Sequence, residues 1–323
     1  MRYQIAPIYC RPWLLNGISA RLIESHYEGN YGAAVSTLNA IAAELEGVDP
    51  AANPDAFRRL KRDELRVLNS TLLHELYFAS LGGDGRSIPE GLANALGRDF
   101  GSTDRWRCEF VALAEASASG AGWVLLSYVP RDGRLINHAA GDDFQSIPGA
   151  IPILALDLYE HAYHIDFGPN ATAYIAAFMR NIDWAAVQKR YDDAVKVAPP
   201  PRLQQREFSD LPSISVEEVQ ALIEAGEAIQ LLDTRPRHYS ARSPDIVKGA
   251  VWRDPERVEE WIGELSPSKP VVTFCVYGFH IGCETARALR EKGFDARYMA
   301  GGHSAWKAAK GAMTLFNDDT DKP

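Results

Sequence analysis

Three consecutive prolines, Pro199, Pro200 and Pro201, are the strongest constraint on how this chain can fold. They cannot donate backbone hydrogen bonds and they favour a polyproline II stretch, so neither a helix nor the middle of a sheet can run through them. The 323 residues therefore divide into two folding parts, as a usual domain size of ~100–200 residues also suggests. Polar and charged residues follow the prolines. Order restarts at Ser215, with Glu218 three positions on ahead of an apolar-periodic run, the pattern of a capping box. These signals place a first domain at 1–192, a Pro-rich linker at 193–212, a second domain at 213–312 and a tail at 313–323, whose final NDDTDKP is expected to fray.

The first domain opens with helical patterning. Ile18, Leu22, Ile23, Tyr27, Tyr31, Val35, Leu38, Ile41 and Leu45 recur at steps of three and four over 18–46, and Leu60, Leu65, Leu68, Leu72, Leu76 and Leu81 recur over 57–81, ahead of Gly82 and Gly83. Thr103 opens another helix to about residue 119. The period then changes: 122–128 and 151–156 are rich in β-formers and are separated by the turn-like Pro130-Arg131-Asp132-Gly133, and a last helix is expected from about 172 to 195. Helices followed by short strands make an α+β domain. The second domain alternates: helix 215–226, strand 229–233, helix 255–264, strand 271–275, helix 281–292, strand 296–299, helix 303–310. That order predicts an α/β domain with a parallel sheet covered on both faces and functional groups at the carboxyl ends of its strands.

Composition excludes some functions. Forty-three Asp and Glu against 34 Lys and Arg give a net charge of −9, so neither nucleic acid nor an anionic membrane is the expected partner. No apolar run approaches the ~20 residues that span a bilayer. The start, MRYQIAPIYCRPW, lacks the apolar core of a secretory signal, and the four cysteines do not make a disulfide scaffold. A reducing, cytoplasmic setting is expected.

Of the eight histidines, His26 and His74 lie on the apolar sides of the two long helices, and the stretch ILALDLYEHAYHIDF delivers Asp157 from a buried strand with His161 four residues later. A carboxylate and an imidazole just past a strand end can converge on one point, and that pairing suits iron, manganese or zinc, although a structural Asp–His hydrogen bond has the same spacing. The stretches SARLIESHYEGNYGAAVSTLN, LLHELYFASL, GAGWVLLSY, ILALDLYEHAYHIDF and NIDWAAVQKRY together resemble the iron/manganese superoxide dismutase family across nearly all of the first domain. The resemblance implies a helical hairpin over about 1–95, an α/β part over about 96–192 containing a small antiparallel sheet, and a homodimer or tetramer formed through this domain. It also implies one iron or manganese ion per chain held by His26, His74, Asp157 and His161. The sequence departs from the family around those ligands: Asn30 and Ala34 stand where a histidine and the substrate-gateway tyrosine are usual, and Ser70 stands where many iron enzymes have glutamine. Asp142 or Gln145 offers a replacement partner for bound solvent. His164 takes the place of a common tyrosine, while Glu160 keeps the glutamate that in the family reaches the partner subunit's ligand histidine.

Cys10, Cys108 and Cys283 read as small hydrophobes. Cys275 ends the apolar strand VVTFC and opens the loop CVYGFHIG before a helix, where backbone N–H groups and the helix N-terminus favour a thiolate, and His280 is placed to assist it. With LLDTRPRHYS, KGAVW and GFDARYMAGGHSAW around it, 213–312 resembles a single rhodanese domain, which implies Cys275 as catalytic cysteine. Asp233 and Arg235 read as a structural pair that fixes a loop. His138, His164, His238 and His303 read as surface or packing residues.

The function expected from these features is dismutation of superoxide at a mononuclear iron or manganese site, with transfer of sulfane sulfur from a donor to a thiol acceptor through a Cys275 persulfide. The alternatives are an iron enzyme that oxidises persulfides, or a rhodanese carried on a vestigial metal-binding dimerisation scaffold.

Overall fold

The N-terminal helical stretch divides into α1 (Ala20–Glu24), a π-helical turn (Ser25–Tyr31) and α2 (Gly32–Gly47), where the periodicity predicts one uninterrupted α-helix. Ser19 caps α1 through its hydroxyl, which accepts from Leu22 N. The chain returns through α3 (Pro54–Phe78), capped by the Asn53 side chain with Pro54 in its first turn. Leu38 and Ile41 of α2 meet Leu60 and Val67 of α3 in a small core of their own. The computed structural model describes residues 3–198, 208, 210–240 and 243–316; Pro199–Pro201 and the NDDTDKP tail lie outside these described residues. Two compact units emerge, 1–200 and 201–323.

The first unit continues with α4 (Glu90–Phe100) and α5 (Thr103–Ser117), then β1 (Trp123–Val129), β2 (Arg134–Ala140) and β3 (Ile151–Asp157) in an antiparallel sheet of order β2-β1-β3. A short α6 (His164–Phe167) precedes α7 (Ala171–Arg180) and α8 (Trp184–Ala194). Three features correct the sequence expectation. Helix α4 is new, its buried face made by Leu92, Ala95 and Leu96. Strand β2 is also new; it pairs along the whole of β1 through the Pro130–Gly133 turn. The single helix expected over 172–195 is two, because Ile182 bridges to Leu81 and the Asp183 side chain starts α8 by accepting from Ala186 N. Helix α8 runs to Ala194, two residues past the boundary placed at 192. Strand β1 is buried along its whole length, and Trp106, Trp123 and Trp184 lie in the main core.

The second unit begins with β4 (Ser213–Ile214) and α9 (Val216–Glu224), whose capping box joins Ser215 and Glu218 in both directions. Then come β5 (Gln230–Asp233), α10 (Arg237–Ser240), β6 (Asp245–Val247), β7 (Ala250–Trp252), α11 (Val258–Trp261), β8 (Val271–Phe274), α12 (Ile281–Glu291), β9 (Ala296–Met299), α13 (Gly302–Ala308) and β10 (Met313–Leu315). The main sheet has the order β4-β9-β8-β5-β7 with every pair parallel, while β6 and β10 form a separate antiparallel ribbon. The helix expected over 255–264 is instead a short α11 between two 3-10 turns, Pro255–Arg257 and Ile262–Glu264. Among the described residues no helix is long and apolar enough to cross a membrane.

Candidate metal centre and thiol loop

His26 hangs from the π-helical turn, His74 from the last turns of α3, Asp157 from the end of β3, and His161 from the 3-10 turn Glu160–Ala162 that follows it. Tertiary packing brings them together: one donor atom from each lies within 4.8 Å of all the others. The Nε2 atoms of His26 and His161 are both 3.1 Å from Asp157 Oδ2, and that of His74 is 3.7 Å away. His26, His74 and Asp157 are buried, whereas the His161 side chain keeps 27% of its surface exposed, so the cluster opens on that side.

The local chemistry leaves lone pairs facing inward. His74 Nδ1 donates to the Ser70 carbonyl at 2.7 Å, which turns Nε2 as an acceptor towards Asp157. Burial lowers the His74 pKa to about 4 and lowers that of His26 as well, so both rings are neutral at pH 7. Burial would raise the Asp157 carboxyl, but the His161 and His26 imidazoles beside it hold it well below the usual carboxylate range. Its other oxygen accepts from Tyr159 N at 2.8 Å. His26 Nδ1 and Nε2 and His74 Nε2 are buried and make no hydrogen bond. Orphaned buried nitrogens are costly, and three imidazoles around one carboxylate oxygen are the donors a transition-metal ion takes. The residues fit such an ion.

The surroundings differ from expectation at several points. Ala34 packs into the small α2–α3 core and carries no polar group to the cluster. A phenol does approach, from Tyr31: its ring centroid is 6.2 Å from that of His74, and its hydroxyl donates to Glu75 at 2.9 Å and accepts from Ala6 N at 2.7 Å. Tyr159 stacks on His161 with centroids 5.4 Å apart. Neither Asp142 nor Gln145 turns inward. Asp142 is exposed and accepts from Phe144 N, and Gln145 is exposed and accepts from Gly141 N. The inward residue of this loop is Asp143, only 7% exposed, whose Oδ1 accepts from Trp123 Nε1 at 2.9 Å. Sequence reasoning passed over it, although two adjacent acids just after a strand do suggest that one of them turns in.

In the second unit Cys275 follows β8, at the carboxyl end of the sheet's middle strand. The loop closes on α13: His303 N donates to Cys275 O and Ser304 N to Val276 O, both at 2.9 Å. Gly278, at φ +68°, lies so close to the backbone of Met299, Gly301 and Gly302 that a Cβ has no room. Cys275 is buried, and its Sγ donates to the Phe279 carbonyl at 2.9 Å. This differs from the expected sulfur facing N–H groups; here the sulfur meets a carbonyl turned inward ahead of His280, whose φ of +64° is strained for a residue with a side chain. The His280 ring is itself exposed, 3.9 Å from Glu284 and against Phe208, and does not serve the thiol. Burial, with Cys275 nearby, pushes the Cys283 thiol up to about 11, which keeps it protonated. Asp233 and Arg235 form a fully buried pair at 2.7 Å, and Arg235 also donates to Asp245 O at 2.7 Å, a framing role as expected. His303, expected at the surface or in packing, is buried beside Arg235.

A protein of Cupriavidus metallidurans named Superoxide dismutase (Fe) is 51% identical to this chain over 197 residues, covering 61% of the chain and 100% of that relative. The chain belongs to the iron/manganese superoxide dismutase family. Other relatives are Superoxide dismutase (Fe) of Aquifex aeolicus, 34% identical over 58% of the chain and 91% of the relative, and Superoxide dismutase (Mn) 2 of Halobacterium salinarum, 33% identical over 56% and 90%. The family description "Iron/manganese superoxide dismutases, C-terminal domain" matches residues 89–190, which includes Asp157 and His161. Beyond the superoxide dismutase part, "Rhodanese-like domain" matches 215–309, which includes Cys275.

Proposed function

We propose that this chain dismutes superoxide, converting two superoxide ions and two protons into dioxygen and hydrogen peroxide, at one iron or manganese ion held by His26, His74, Asp157 and His161. The observation that carries this reading is the convergence of four donor atoms within 4.8 Å, with buried imidazole nitrogens left without hydrogen bonds. The bound ion supplies the one-electron couple. The protein supplies the rest. Neutral His26 and His74 present lone pairs, Ser70 O fixes the His74 ring, and Tyr159 N together with the histidines keeps Asp157 ionised. Three neutral imidazoles and one carboxylate leave a trivalent ion with a net charge of roughly +2, which draws an anion through the His161 side despite the chain's overall −9. The test is metal analysis with a dismutation assay on the full chain and on His161→Ala. One ion per chain, lost with activity in the variant, is expected; a metal-free, inactive wild type overturns the reading.

A second reaction is favoured by Cys275 at the strand end and its tight loop. The Cys275 sulfur, as thiolate, attacks the outer sulfur of a donor such as thiosulfate; an S–S bond forms to Cys275 as the donor's S–S bond breaks and sulfite leaves. An acceptor thiolate then attacks the outer persulfide sulfur, and the Cys275 thiolate departs. A mass increase of one sulfur on Cys275 is expected after thiosulfate treatment, and undiminished transfer in Cys275→Ser overturns it. We assign the redox chemistry to a domain of about 1–192, the sulfur chemistry to 213–312, and a spacer role to 193–212. Pairing of first domains into a homodimer or tetramer, with exposed Glu160 reaching the partner's ligand histidine, completes the reading.

A further inference from the structure

In the second unit a single peptide group, the one joining Phe279 to His280, faces two buried sulfurs. Its carbonyl, on Phe279, accepts from Cys275 Sγ at 2.9 Å. Its N–H, on His280, serves the other sulfur: burial and then Cys275 raise the Cys283 titration, while a hydrogen bond from the His280 N–H lowers it. The start of α12 keeps both cysteines in place. Thr273 on β8 donates to Gly282 O at 2.7 Å, and Gly282 packs against the backbone of Phe274 and Cys275.

This orientation suits only one state of Cys275. A carbonyl oxygen accepts and never donates, so it serves the sulfur only while that sulfur carries a hydrogen. Once Cys275 is a persulfide, Sγ has no hydrogen to give, and lone pairs face each other across the same 2.9 Å. The orientation also strains the backbone, because His280 stands at φ +64°, a conformation that glycine adopts freely and a residue with a Cβ does not. Turning the peptide over removes both faults. The His280 N–H then points at the Cys275 sulfur, and the φ of His280 returns to negative values. The Phe279 carbonyl then faces Cys283, which stays protonated and has a hydrogen to offer, while in the first orientation the same sulfur accepts from the N–H. Cys283 therefore accommodates either face of the peptide. Gly278, wedged against the backbone of Met299, Gly301 and Gly302, holds the loop on the near side of this peptide, and α12 holds it on the far side.

We propose that the Phe279–His280 peptide is a two-position switch that turns over when Cys275 takes up sulfur, and that His280 is the positioning residue whose backbone strain, released on turning, favours the loaded state. This rests on the reading that Cys275 carries sulfane sulfur. The test is an equilibrium on the full-length chain at a fixed ratio of thiosulfate to sulfite. Cys275 thiolate and thiosulfate exchange there with Cys275 persulfide and sulfite, so atoms and charge balance. The loaded-to-unloaded ratio is read by mass spectrometry, with fragmentation that separates Cys275 from Cys283. His280→Gly removes the strain of the unloaded position alone and is expected to lower the ratio about fivefold or more relative to His280→Ala, which keeps that strain. His280→Val, β-branched and still less tolerant of positive φ, is expected at or above the alanine variant. The side chain is exposed, so none of these changes touches the core. A ratio in His280→Gly equal to or above that in His280→Ala overturns the inference and leaves sulfur transfer by Cys275 standing. A wild type that takes up no sulfur on Cys275 overturns the sulfur-transfer reading itself, and this inference with it.

Discussion

At the metal cluster, side chains from three separated stretches of chain meet at one carboxylate oxygen, each steered by hydrogen bonds or packing from a different element. At the thiol loop a single run, 275–280, carries the reactive sulfur, and its shape comes from backbone pressed against backbone at Gly278, Gly301 and Gly302. The first site is therefore sensitive to the loss of any one side chain and tolerant of change in those around it. The second is sensitive to any added atom along the loop backbone, whatever the side chain's chemistry. The regions also differ in how polarity is satisfied: the cluster leaves buried nitrogens open, whereas the thiol is already hydrogen-bonded to Phe279 O.

The most severe way to break the contrast is Asp157→Asn. The amide keeps the bond from Tyr159 N but removes the charge that all three histidines face, so metal affinity is expected to fall about 100-fold or more. Metal titration checks this, and sulfur transfer by Cys275 in the same protein should not change. Next in size is an acid effect on the second unit. Burial, helped by Arg235, lowers the His303 pKa to about 4. The unfolded chain, near 6.5, binds more protons over that interval. Stability is then complete above about pH 6.5 and falls as pH drops towards 4, by roughly 2–3 kcal/mol in all. Urea unfolding followed by a probe in residues 213–316 should show this slope, and His303→Asn should flatten it. Gly278→Ala comes third, costing about 1–3 kcal/mol from positive φ and the missing room for a Cβ. Calorimetry should show the lower-melting second unit, with metal content unchanged. The smallest effect is expected of Ser70→Ala. The Ser70 carbonyl holds His74 at 2.7 Å while its hydroxyl stands 3.5 Å off, so stability should change by less than about 0.5 kcal/mol and metal content not at all.

The cluster was legible through the family resemblance, which His26, His74 and the stretch holding Asp157 and His161 match in order, whereas spacing alone left a structural Asp–His hydrogen bond equally open. The parallel sheet of the second unit was legible because strands and helices alternate with clear boundaries. What stayed hidden depends on contacts between distant residues. Asp143 is distinguished from Asp142 only by Trp123, twenty positions away, whose indole selects one of two adjacent acids. Strand β2 lacks a clean alternation: its burial is irregular along Arg134–Ala140, and only β1 makes it a strand. The break between α7 and α8 follows from the Leu81–Ile182 bridge, which no local pattern announces. The inward carbonyl of Phe279 reflects strain at His280 that the surrounding loop imposes.

The π-helical turn at Ser25–Tyr31 gives the hairpin a fixed length. A turn of this kind accommodates one residue more than an α-helix would. Deleting Gly29 would let the turn relax to about 3.6 residues per turn, and the tighter winding of the remaining residues would largely make up the rotation lost with one residue. A deletion within α2, which holds no such surplus, would instead swing everything ahead of it, His26 included, by about 100° around the axis relative to α3. The first ligand would then face the wrong side of its helix with every side chain of the cluster intact. Gaps should therefore be rarer in α2 than in the turn among working descendants.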